Sequence, residues 1–467
     1  MKKKKILLMS DDLRMHSGIA TQSKEFVMGT MYKYDWVQIA AAIKHPENGK
    51  IIDMSQAVQN EYGIKDAYLK IYPTDGYGNP DLLREILQIE KPDAIIHFTD
   101  PRFWIWLYEM EHEIRQHIPI MYYNIWDDLP DPDYNENYYR SSDLLMAISK
   151  QTYGINKRLL SDYKDWQIQY VPHGLDEKQH FKVDEGDVKY QNFLNKSQLD
   201  KYKFKVLYLN RNIRRKQPGD VVFAYKSFIE QLTPEQRKEC CLVFHTQVSD
   251  ENGTDLRAVC NKLIPDENVV FTYETAGVLD DKDINHLYNG VDVYINLASN
   301  EGFGLGSAEA LMSETPIIVN VTGGLQDQCG FTKTEWTEDE DGNKSNPKKT
   351  YLTADDYIEL GSNHRGTYKE HGEWVKPVFP SNISLAGSPL TPYIFDDRCS
   401  YEDAGEALYE WYKARPEERE RCGELGRQFV LGDGKMTAKH MSESFIKNID
   451  TTFEKWKPRE KYTLEVV

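Results

Sequence analysis

The sequence predicts an α/β protein of two domains, and three observations lead to this fold class. The chain has 467 residues, roughly two to three times the length of an ordinary domain. Apolar residues make up 40% and charged residues 28%, which supplies hydrophobic surface for large cores and excludes a disordered or fibrous chain. Short apolar runs also alternate with longer helical stretches in both halves, a pattern typical of parallel sheets covered by helices.

The first alternation occupies the N-terminal part of the chain. Its short apolar runs predict strands at residues 5–9, 36–41, 94–98, 120–123, 144–148 and 168–171. The longer stretches between them predict helices at residues 20–28, 80–90, 104–117 and 151–160. We therefore expect residues 1–181 to form the first domain.

A second alternation follows the polar, charged segment 182–203, which we interpret as a linker. Strands are predicted at residues 205–209, 241–245, 269–271, 293–297 and 316–320, and helices at 221–231, 284–290 and 306–313. Residues 331–391 break the rhythm and are too long for an ordinary connection, so we interpret them as an irregular insertion or flap. A strand at 393–395 and helices at 404–412, 418–430 and 438–456 are predicted to follow, and the second domain is expected to cover 204–437.

The charge and the cysteines narrow the class of protein. With 57 basic and 75 acidic residues the net charge is −18, which excludes a general attraction to phosphate backbones as the main means of finding partners. The six cysteines form no CxxC pair and have no histidine at zinc-ligand spacing, which predicts reduced thiols in the cytoplasm. The apolar run at residues 6–9 is too short for a signal or a membrane span, so we expect no integral membrane contact.

The most informative segment reads NEGFGLGSAEALMSET and follows a predicted strand. Gly302, Gly304 and Gly306 let the backbone turn tightly and approach a ligand, and the free amides of the helix that follows suit an anion. Glu301 and Glu309 flank these glycines. Because carboxylates repel phosphate but accept hydrogen bonds from hydroxyls, a ligand that carries both phosphate and sugar fits the segment best.

A second segment, NRNIRRKQPG, follows the first strand of the second domain. Arg211 and Lys216 lie five residues apart in this loop, where a guanidinium and an ammonium can clamp a diphosphate. A solvated helix entry is the alternative. Parallel sheets bind ligands at the carboxyl ends of their strands, and both segments follow strands of one domain, so we expect them to share a site.

Together the two segments resemble the retaining nucleotide-sugar glycosyltransferases of family 4, the group 1 type. Glu301 and Glu309 match the E-x7-E motif of that family, and Arg211 and Lys216 match its donor-diphosphate pair. The sequences SGIA, VPHGLDEKQHF and GGLQD match further loops, so the resemblance spans nearly the whole chain outside 331–391. It implies the GT-B fold, in which two Rossmann-like domains face each other across a cleft.

The resemblance also implies a role for each half of the chain. Residues 1–181, completed by the C-terminal helix within 438–467, would form the acceptor-side domain, and residues 204–437 would bind the donor. Arg211 and Lys216 would neutralise the leaving diphosphate, and Glu301 would contact the transferred sugar. The implied donor contacts are completed by Gly18, Phe303, Gly304, Leu305, Gly306 and Glu309. Because cations replace a metal in this role, we expect no metal and no cofactor besides the co-substrate, a UDP-sugar.

One position departs from the family pattern. Trp126, followed by Asp127, stands where the family has a histidine that contacts donor sugar or acceptor. Both are therefore candidates for the catalytic set, and a pentosyl donor is an open hypothesis; a packed tryptophan with a solvated aspartate is the alternative. His97 and Asp100, at the end of a predicted strand, join Asp127 as acceptor-side candidates, with a structural histidine as the alternative reading of His97.

The function that follows is transfer of a sugar from a nucleotide sugar to an acceptor hydroxyl with retained configuration. A saccharide, a small molecule or a modified nucleic acid is a possible acceptor. One alternative is the same chemistry on a hydroxymethylated pyrimidine of DNA, held as a flipped base. A non-catalytic nucleotide-sugar sensor is the alternative outside enzymes.

Overall fold

The computed structural model of the protein describes residues 2–338, 344–360 and 366–460. In these residues the chain forms a sheet of eight strands, a sheet of six strands and two separate β-hairpins. The predicted α/β fold class is confirmed. Residues 339–343 and 361–365 of the predicted insertion, and residues 461–467 of the predicted C-terminal completion, lie outside the described residues.

The first half of the chain forms the eight-stranded sheet. Its strands are β1 Lys4–Asp11, β2 Tyr34–Ala42, β3 Ile52–Asp53, β4 Leu69–Asp75, β5 Ala94–Phe98, β6 Ile120–Asn124, β7 Leu144–Ala147 and β8 Ile168–Tyr170. Its helices are α1 Gly18–Thr30, α2 Ser55–Tyr62, α3 Pro80–Glu90, α4 Ile105–Glu109, α5 Glu111–Ile114, α6 Glu136–Arg140 and α7 Lys150–Leu159. The strand order is β3-β4-β2-β1-β5-β6-β7-β8, and only β3 runs antiparallel to its neighbour.

Alternation along β1 shows why this sheet is covered on both faces. Ile6 and Leu8 lie in the apolar cluster that contains Phe26 of α1, whereas Leu7 and Met9 lie in the cluster that contains Leu83 of α3. Successive side chains of a strand point to opposite faces, so a strand that is apolar at every position needs helices on both sides. The carboxyl ends of the strands consequently stay free for function.

The second half forms the six-stranded sheet, with β-hairpins β14–β15 and β17–β18. The six strands of the sheet are β9 Phe204–Leu209, β10 Cys240–His245, β11 Val269–Phe271, β12 Val293–Asn296, β13 Ile317–Asn320 and β16 Val375–Val378. The hairpin strands are β14 Thr332–Glu338, β15 Lys344–Tyr351, β17 Pro380–Ser388 and β18 Thr391–Cys399. Its helices are α8 Val188–Lys196, α9 Pro218–Ile229, α10 Pro234–Lys238, α11 Leu256–Leu263, α12 Thr272–Thr275, α13 Asp281–Asn289, α14 Leu305–Met312, α15 Leu325–Gln328, α16 Tyr401–Lys413 and α17 Pro416–Leu431. The sheet order is β11-β10-β9-β12-β13-β16, with every pair parallel.

The prediction of an irregular insertion at 331–391 is wrong. This segment contains the hairpin β14–β15, and its later part supplies β16, which pairs with β13 at the edge of the main sheet. Residues 380–399 form the second hairpin. The reason is that β16 reads Val-Lys-Pro-Val, so its two buried valines are separated by residues that hide the apolar pattern of a strand.

Two further stretches differ from the predicted elements. The segment 182–203 contains α8, where Tyr190 and Phe193 are buried and pack against His286 of α13. Their spacing of three residues is helical, but the charged residues around them mask it. The single helix predicted at 104–117 is divided at Met110 into α4 and α5.

The last helix, α18 Ala438–Lys455, returns from the second half to the first. Phe445 stacks on Phe26 of α1 at 4.4 Å between ring centroids, and the hydroxyl of Tyr34 donates to Asp450 at 2.7 Å. The chain end is thereby fixed to the N-terminal sheet. No helix among the described residues combines the length and the apolarity that crossing a bilayer requires.

Candidate active site

The glycine loops of the two halves meet across the cleft. Gly18 begins α1 directly after the capping residue Ser17, and a β-carbon added at Gly18 would lie 3.3 Å from Cδ1 of Leu305. Leu305 is the first residue of α14, and Gly304 before it has φ +84°, a conformation that favours glycine. The N-termini of α1 and α14 therefore adjoin each other, and their amides favour an anion at this place.

Gly302 lies where the second half touches the first. A β-carbon at Gly302 would approach Cδ1 of Ile148 to 2.8 Å and the carbonyl oxygen of Ile125 to 3.2 Å. The amide of Gly324 donates to the carbonyl of Glu301 at 2.8 Å. The backbone around Glu301 is thus in contact with the first half of the chain at Gly302 and with the GGLQD loop at Gly324. Glycine at these positions makes the close approach possible.

Glu301 is the charged centre of the site. Its carboxylate accepts a hydrogen bond from Nζ of Lys216 and another from Nδ2 of Asn296 at 3.2 Å, and Nη1 of Arg215 lies 3.9 Å away. Burial raises the pKa of Glu301, but Lys216 and Arg215 outweigh burial and hold that pKa below its usual range. Burial in turn lowers the pKa of Lys216, although Glu301 opposes it. The site therefore contains an ionised carboxylate with two cations beside it.

A second cation beside Glu301 is Arg215, which the sequence analysis did not single out. Arg211, predicted as the partner of Lys216, is 64% exposed in its side chain, and its Nε donates to Asp250 at 3.1 Å. Arg215 instead donates to the carbonyl of Asn300 at 2.8 Å and lies 3.4 Å from the carboxylate of Asp127. Arg211 and Lys216 thus pair with different carboxylates, Asp250 and Glu301, and their joint binding of a diphosphate stays a prediction. The signal that pointed to Arg215 was its place directly beside Lys216 in one dense cationic run.

Glu309 lies in the second turn of α14 and faces hydroxyl and imidazole groups. The hydroxyl of Tyr288 donates to Glu309 at 2.8 Å, and Nε2 of His180 lies 4.0 Å from its other oxygen. A β-carbon at Gly306 would lie 2.6 Å from the hydroxyl of Tyr294, which explains the glycine at that position. Glu309 retains access from the cleft, with 19% of its side chain exposed.

The side chain of Phe303 is buried and fixes the position of the glycine loop. Its ring is buried and lies 5.1 Å from the ring of His173, which belongs to the predicted VPHG segment. The amide of Gln328 donates to the carbonyl of Phe303 at 2.7 Å. Burial lowers the pKa of His173 to about 3, so this histidine packs as a neutral ring. Phe303 consequently offers backbone, and not its side chain, to a ligand.

The catalytic role predicted for the indole of Trp126 does not agree with its position. Its Nε1 donates to the carbonyl of Asp128 at 2.8 Å, and the ring packs edge-on against Tyr134. Trp126 belongs to a small buried cluster with Leu129 and Ile155, and Phe395 of the β17–β18 hairpin packs against this cluster. Asp127, by contrast, is directed toward Arg215 and shares the site with Glu301.

The acceptor contact predicted for His97 is also not supported. His97 is completely buried, its Nδ1 lies 2.7 Å from the hydroxyl of Tyr108, and its ring stacks on Tyr122. Burial lowers its pKa to about 3. Asp100 lies nearer the surface, where it caps the turn Pro101–Phe103 and accepts a hydrogen bond from Nε of Arg102 at 2.9 Å.

Within the described residues, one group of potential metal ligands comes together, formed by Glu373, Glu418 and Cys422. Arg421 forms ion pairs with both carboxylates of this group. The group lies on and beside α17, outside the cleft between the two halves. The residues that face the cleft instead provide cations, Lys216 and Arg215, for negative charge.

Comparison with known proteins agrees with this geometry. Residues 190–345 match the family described as glycosyl transferases group 1. Mannosylfructose-phosphate synthase of Agrobacterium fabrum is 24% identical over 201 residues, which are 40% of this chain and 39% of that protein. The chain therefore aligns with about two fifths of this curated relative.

Solved structures share the fold over nearly the whole chain. HepE of Anabaena, in complex with UDP and glucose, has a TM-score of 0.62 at 11% identity and covers 96% of this chain and 100% of its own. Sucrose-phosphate synthase of Thermosynechococcus elongatus has a TM-score of 0.63 at 13% identity and covers 97% and 100%. The architecture is GT-B, with two Rossmann-like domains, as in these solved structures. The predicted fold and the resemblance to group 1 glycosyltransferases are confirmed at this level, with the family match limited to residues 190–345.

Proposed function

We propose that the protein is a glycosyltransferase that moves a sugar from a nucleotide sugar, UDP-linked, to an acceptor hydroxyl. The observation that carries the proposal is the ionised Glu301 between Lys216 and Arg215, at the point where the glycine loops of both halves meet. Transfer of a glycosyl group separates positive charge on the sugar from negative charge on the diphosphate. A carboxylate beside two cations in a water-poor cleft suits both developing charges.

Each part of the donor has a counterpart in the cleft. The diphosphate is expected beside Lys216 and the adjoining N-termini of α1 and α14, where ammonium and amide groups face negative charge. The ribose is expected at Glu309, a carboxylate that already accepts a hydrogen bond from Tyr288. The sugar is expected at Glu301. The solved complex of HepE with UDP and glucose supports a uridine nucleotide as the first donor to test.

The finer features of the reaction belong to the same proposal. We expect retention of the anomeric configuration and activity without added metal, because Lys216 and Arg215 supply the positive charge that a metal would supply. We also place the protein in the cytoplasm, since its six cysteines are free and five of them are buried. The pentosyl-donor hypothesis loses its steric basis, because the indole of Trp126 is buried and donates to the carbonyl of Asp128.

A donor panel tests the proposal directly. UDP-glucose, UDP-xylose and GDP-mannose are added to the protein, and both the unfolding temperature and slow hydrolysis of the donor are measured with and without EDTA. A donor at 100 times its Kd should stabilise the folded state by about 2.7 kcal/mol. Hydrolysis distinguishes an enzyme from a nucleotide-sugar sensor, which binds without turnover.

The matched variants are Glu301→Gln at the site and Glu406→Gln on the exposed face of α16. We expect Glu301→Gln to lose hydrolysis and Glu406→Gln to retain it. Stabilisation by a donor without hydrolysis would favour the sensor. Hydrolysis that disappears in EDTA and returns with Mg²⁺ would contradict the metal-independent mechanism, and full activity of Glu301→Gln would refute the site.

A further inference from the structure

Two aromatic rings stack at the carboxyl edge of the first sheet. Tyr77 follows β4, and Phe103 ends the turn Pro101–Phe103 after β5. Their centroids are 4.7 Å apart and their planes differ by 9°. Phe103 is 53% exposed, although a phenylalanine gains most from burial. The pair therefore presents a flat apolar surface at the edge where parallel sheets bind ligands.

The pair is fixed in its orientation by the residues beneath it. Tyr77 packs edge-on against Trp104, which is completely buried, at 5.8 Å between centroids. Asp100 accepts a hydrogen bond from the backbone amide of Arg102 at 2.9 Å and thereby holds the turn that ends at Phe103. A ring surface that is rigid before binding loses little conformational entropy when a ligand stacks on it.

Contacts connect the stacked pair to the reaction centre along one side of the cleft. The guanidinium of Arg102 lies 5.6 Å from the centroid of the Trp126 ring. Asp127, the next residue, reaches Arg215, which in turn lies 3.9 Å from Glu301. The turn that ends at Phe103 is therefore connected through Arg102 and Trp126 to the loop of Asp127.

A second series of contacts connects the pair to the donor loop. Asp11 ends β1, the neighbour of β5 in the sheet, and therefore lies at the same carboxyl edge; the hydroxyl of Ser17 donates to Asp11 at 3.2 Å. Ser17 caps α1 at Gly18, which touches Leu305. Asp11 and Ser17 thus lie along the carboxyl edge of the first sheet between β5 and the glycine loop of α1.

The charges around the pair select the chemistry of its ligand. Burial raises the pKa of Tyr77, and the carboxylates of Asp11 and Asp100 raise it further. Arg102 is paired with Asp100, and Arg14 with Asp12. Carboxylates accept hydrogen bonds from hydroxyls and repel phosphate at short range. An apolar ring surface beside such carboxylates fits the C–H face and the hydroxyls of a neutral sugar ring.

We propose that Tyr77 and Phe103 form the acceptor platform, on which the ring of an unphosphorylated carbohydrate stacks while Asp11 and Asp100 accept its hydroxyls. The role of this platform in transfer rests on the proposed function, but carbohydrate binding itself does not. The platform disfavours a phosphorylated sugar and a nucleic acid, whose phosphates would face the two carboxylates.

Saturation-transfer NMR with sucrose and maltose tests the platform, and glucose 6-phosphate and an oligonucleotide containing hydroxymethylcytosine serve as competing probes. The variants are Phe103→Ala, Phe103→Trp, which keeps a stacking ring, and Tyr32→Ala, which removes a ring that is 59% exposed just after α1. We expect a saccharide to bind the wild type and Tyr32→Ala, and to bind Phe103→Ala about tenfold more weakly, with Phe103→Trp close to wild type.

The outcomes separate the platform from the proposed function. Equal saccharide affinity of wild type and Phe103→Ala, no saccharide binding at all, or tighter binding of the phosphorylated probes would overturn the platform. Donor hydrolysis that persists in Phe103→Ala while saccharide binding weakens would support both proposals. Saccharide binding that depends on Phe103 in a protein without donor hydrolysis would support the platform and refute the glycosyltransferase.

Discussion

At the scale of single residues, the site depends on charges that are buried in pairs. Lys216 and Glu301 have only 11% and 7% of their side chains exposed, and Arg215 supports the same carboxylate. Burying an ion pair costs desolvation on both sides, and removal of one partner leaves the other uncompensated. Such a pair contributes little net stability, so its presence in the cleft is better explained by the charge that the reaction develops.

Lys216→Ala should therefore affect both the reaction and the fold. We expect at least tenfold lower kcat/KM for the donor, since a charged hydrogen bond contributes about 1.5 to 3 kcal/mol. We also expect a lower free energy of unfolding, because Glu301 keeps Arg215 and Asn296 but loses its ammonium partner. Steady-state kinetics and urea unfolding measure the two effects. Lys226→Ala on α9 is the control, and unchanged donor kinetics in Lys216→Ala would contradict the assignment.

Glu25 of α1 gives a prediction on pH. Burial raises its pKa to about 7, and Asp176 adds to the effect. Between the ordinary glutamate pKa and this value the folded state binds more protons than the unfolded chain, so stability falls as the pH rises through that interval. Glu25→Gln should remove this loss and raise the free energy of unfolding at pH 8 by about 1 to 3 kcal/mol. The free energies of unfolding of Glu25→Gln and of the exposed control Glu406→Gln are measured at pH 5 and pH 8. An equal gain in stability of Glu25→Gln at both pH values would contradict the prediction.

At the scale of elements, the β17–β18 hairpin joins the two halves beside the site. The backbone amide of Phe395 donates to the carbonyl of Leu129 at 2.6 Å, and the hydroxyl of Tyr134 donates to the carbonyl of Tyr393 at 2.9 Å. On its other side, Asn300 donates to the carbonyl of Phe395 at 3.0 Å. The hairpin thus holds the loop of Asp127 against the residue that precedes Glu301.

Phe395→Ala should loosen this connection without touching the donor loop. We expect a loss of about 1 to 3 kcal/mol in stability, less than for a fully buried phenylalanine, because the ring is only half-buried. Transfer should fall more than donor affinity, since Asp127 and Trp126 lose their support. Leu385→Ala, at a 68% exposed position of β17, is the control. If both variants transfer at the wild-type rate, the hairpin has no role in the site.

At the scale of the whole molecule, the two halves are in contact at the centre of the cleft. Gly302 lies against Ile125 and Ile148, and Gly18 lies against Leu305. The helix α18 adds a second connection, since it leaves the second half and packs on α1 through Phe445. The relative position of the halves is therefore set by close contacts at these glycines together with an apolar cluster that contains residues of both halves.

Gly302→Ala should act as a wedge between the halves. The added β-carbon would need Cδ1 of Ile148 and the carbonyl of Ile125 to move away. We expect about tenfold lower transfer with little change in stability, and a larger radius of gyration by small-angle X-ray scattering. Gly219→Ala, where a β-carbon meets nothing within 4 Å, should remain at wild-type activity and compactness. An unchanged scattering profile and rate in Gly302→Ala would refute the closed contact.

The repeating α/β architecture and the residue types proposed for the site follow from local features of the sequence. Alternating apolar runs predicted β5 at its observed bounds, because a strand buried on both faces is apolar at every position. The glycine pattern placed Gly304 before α14, since a positive φ favours glycine. Lys216, Glu301 and Glu309 were found from local spacing, which requires no knowledge of distant segments.

The partners of each candidate side chain, by contrast, depend on segments that are distant in the chain. Arg211 and Arg215 lie in one loop but have different partners. Arg211 donates to Asp250, whereas Arg215 donates to the carbonyl of Asn300 and lies beside Asp127. Trp126 belongs to a buried cluster against which Phe395 packs, more than 250 residues later in the chain. Spacing along the chain determines which side chains lie on the same turn or strand. The partner that each side chain contacts often comes from a remote segment, and a local sequence pattern contains no information about that segment.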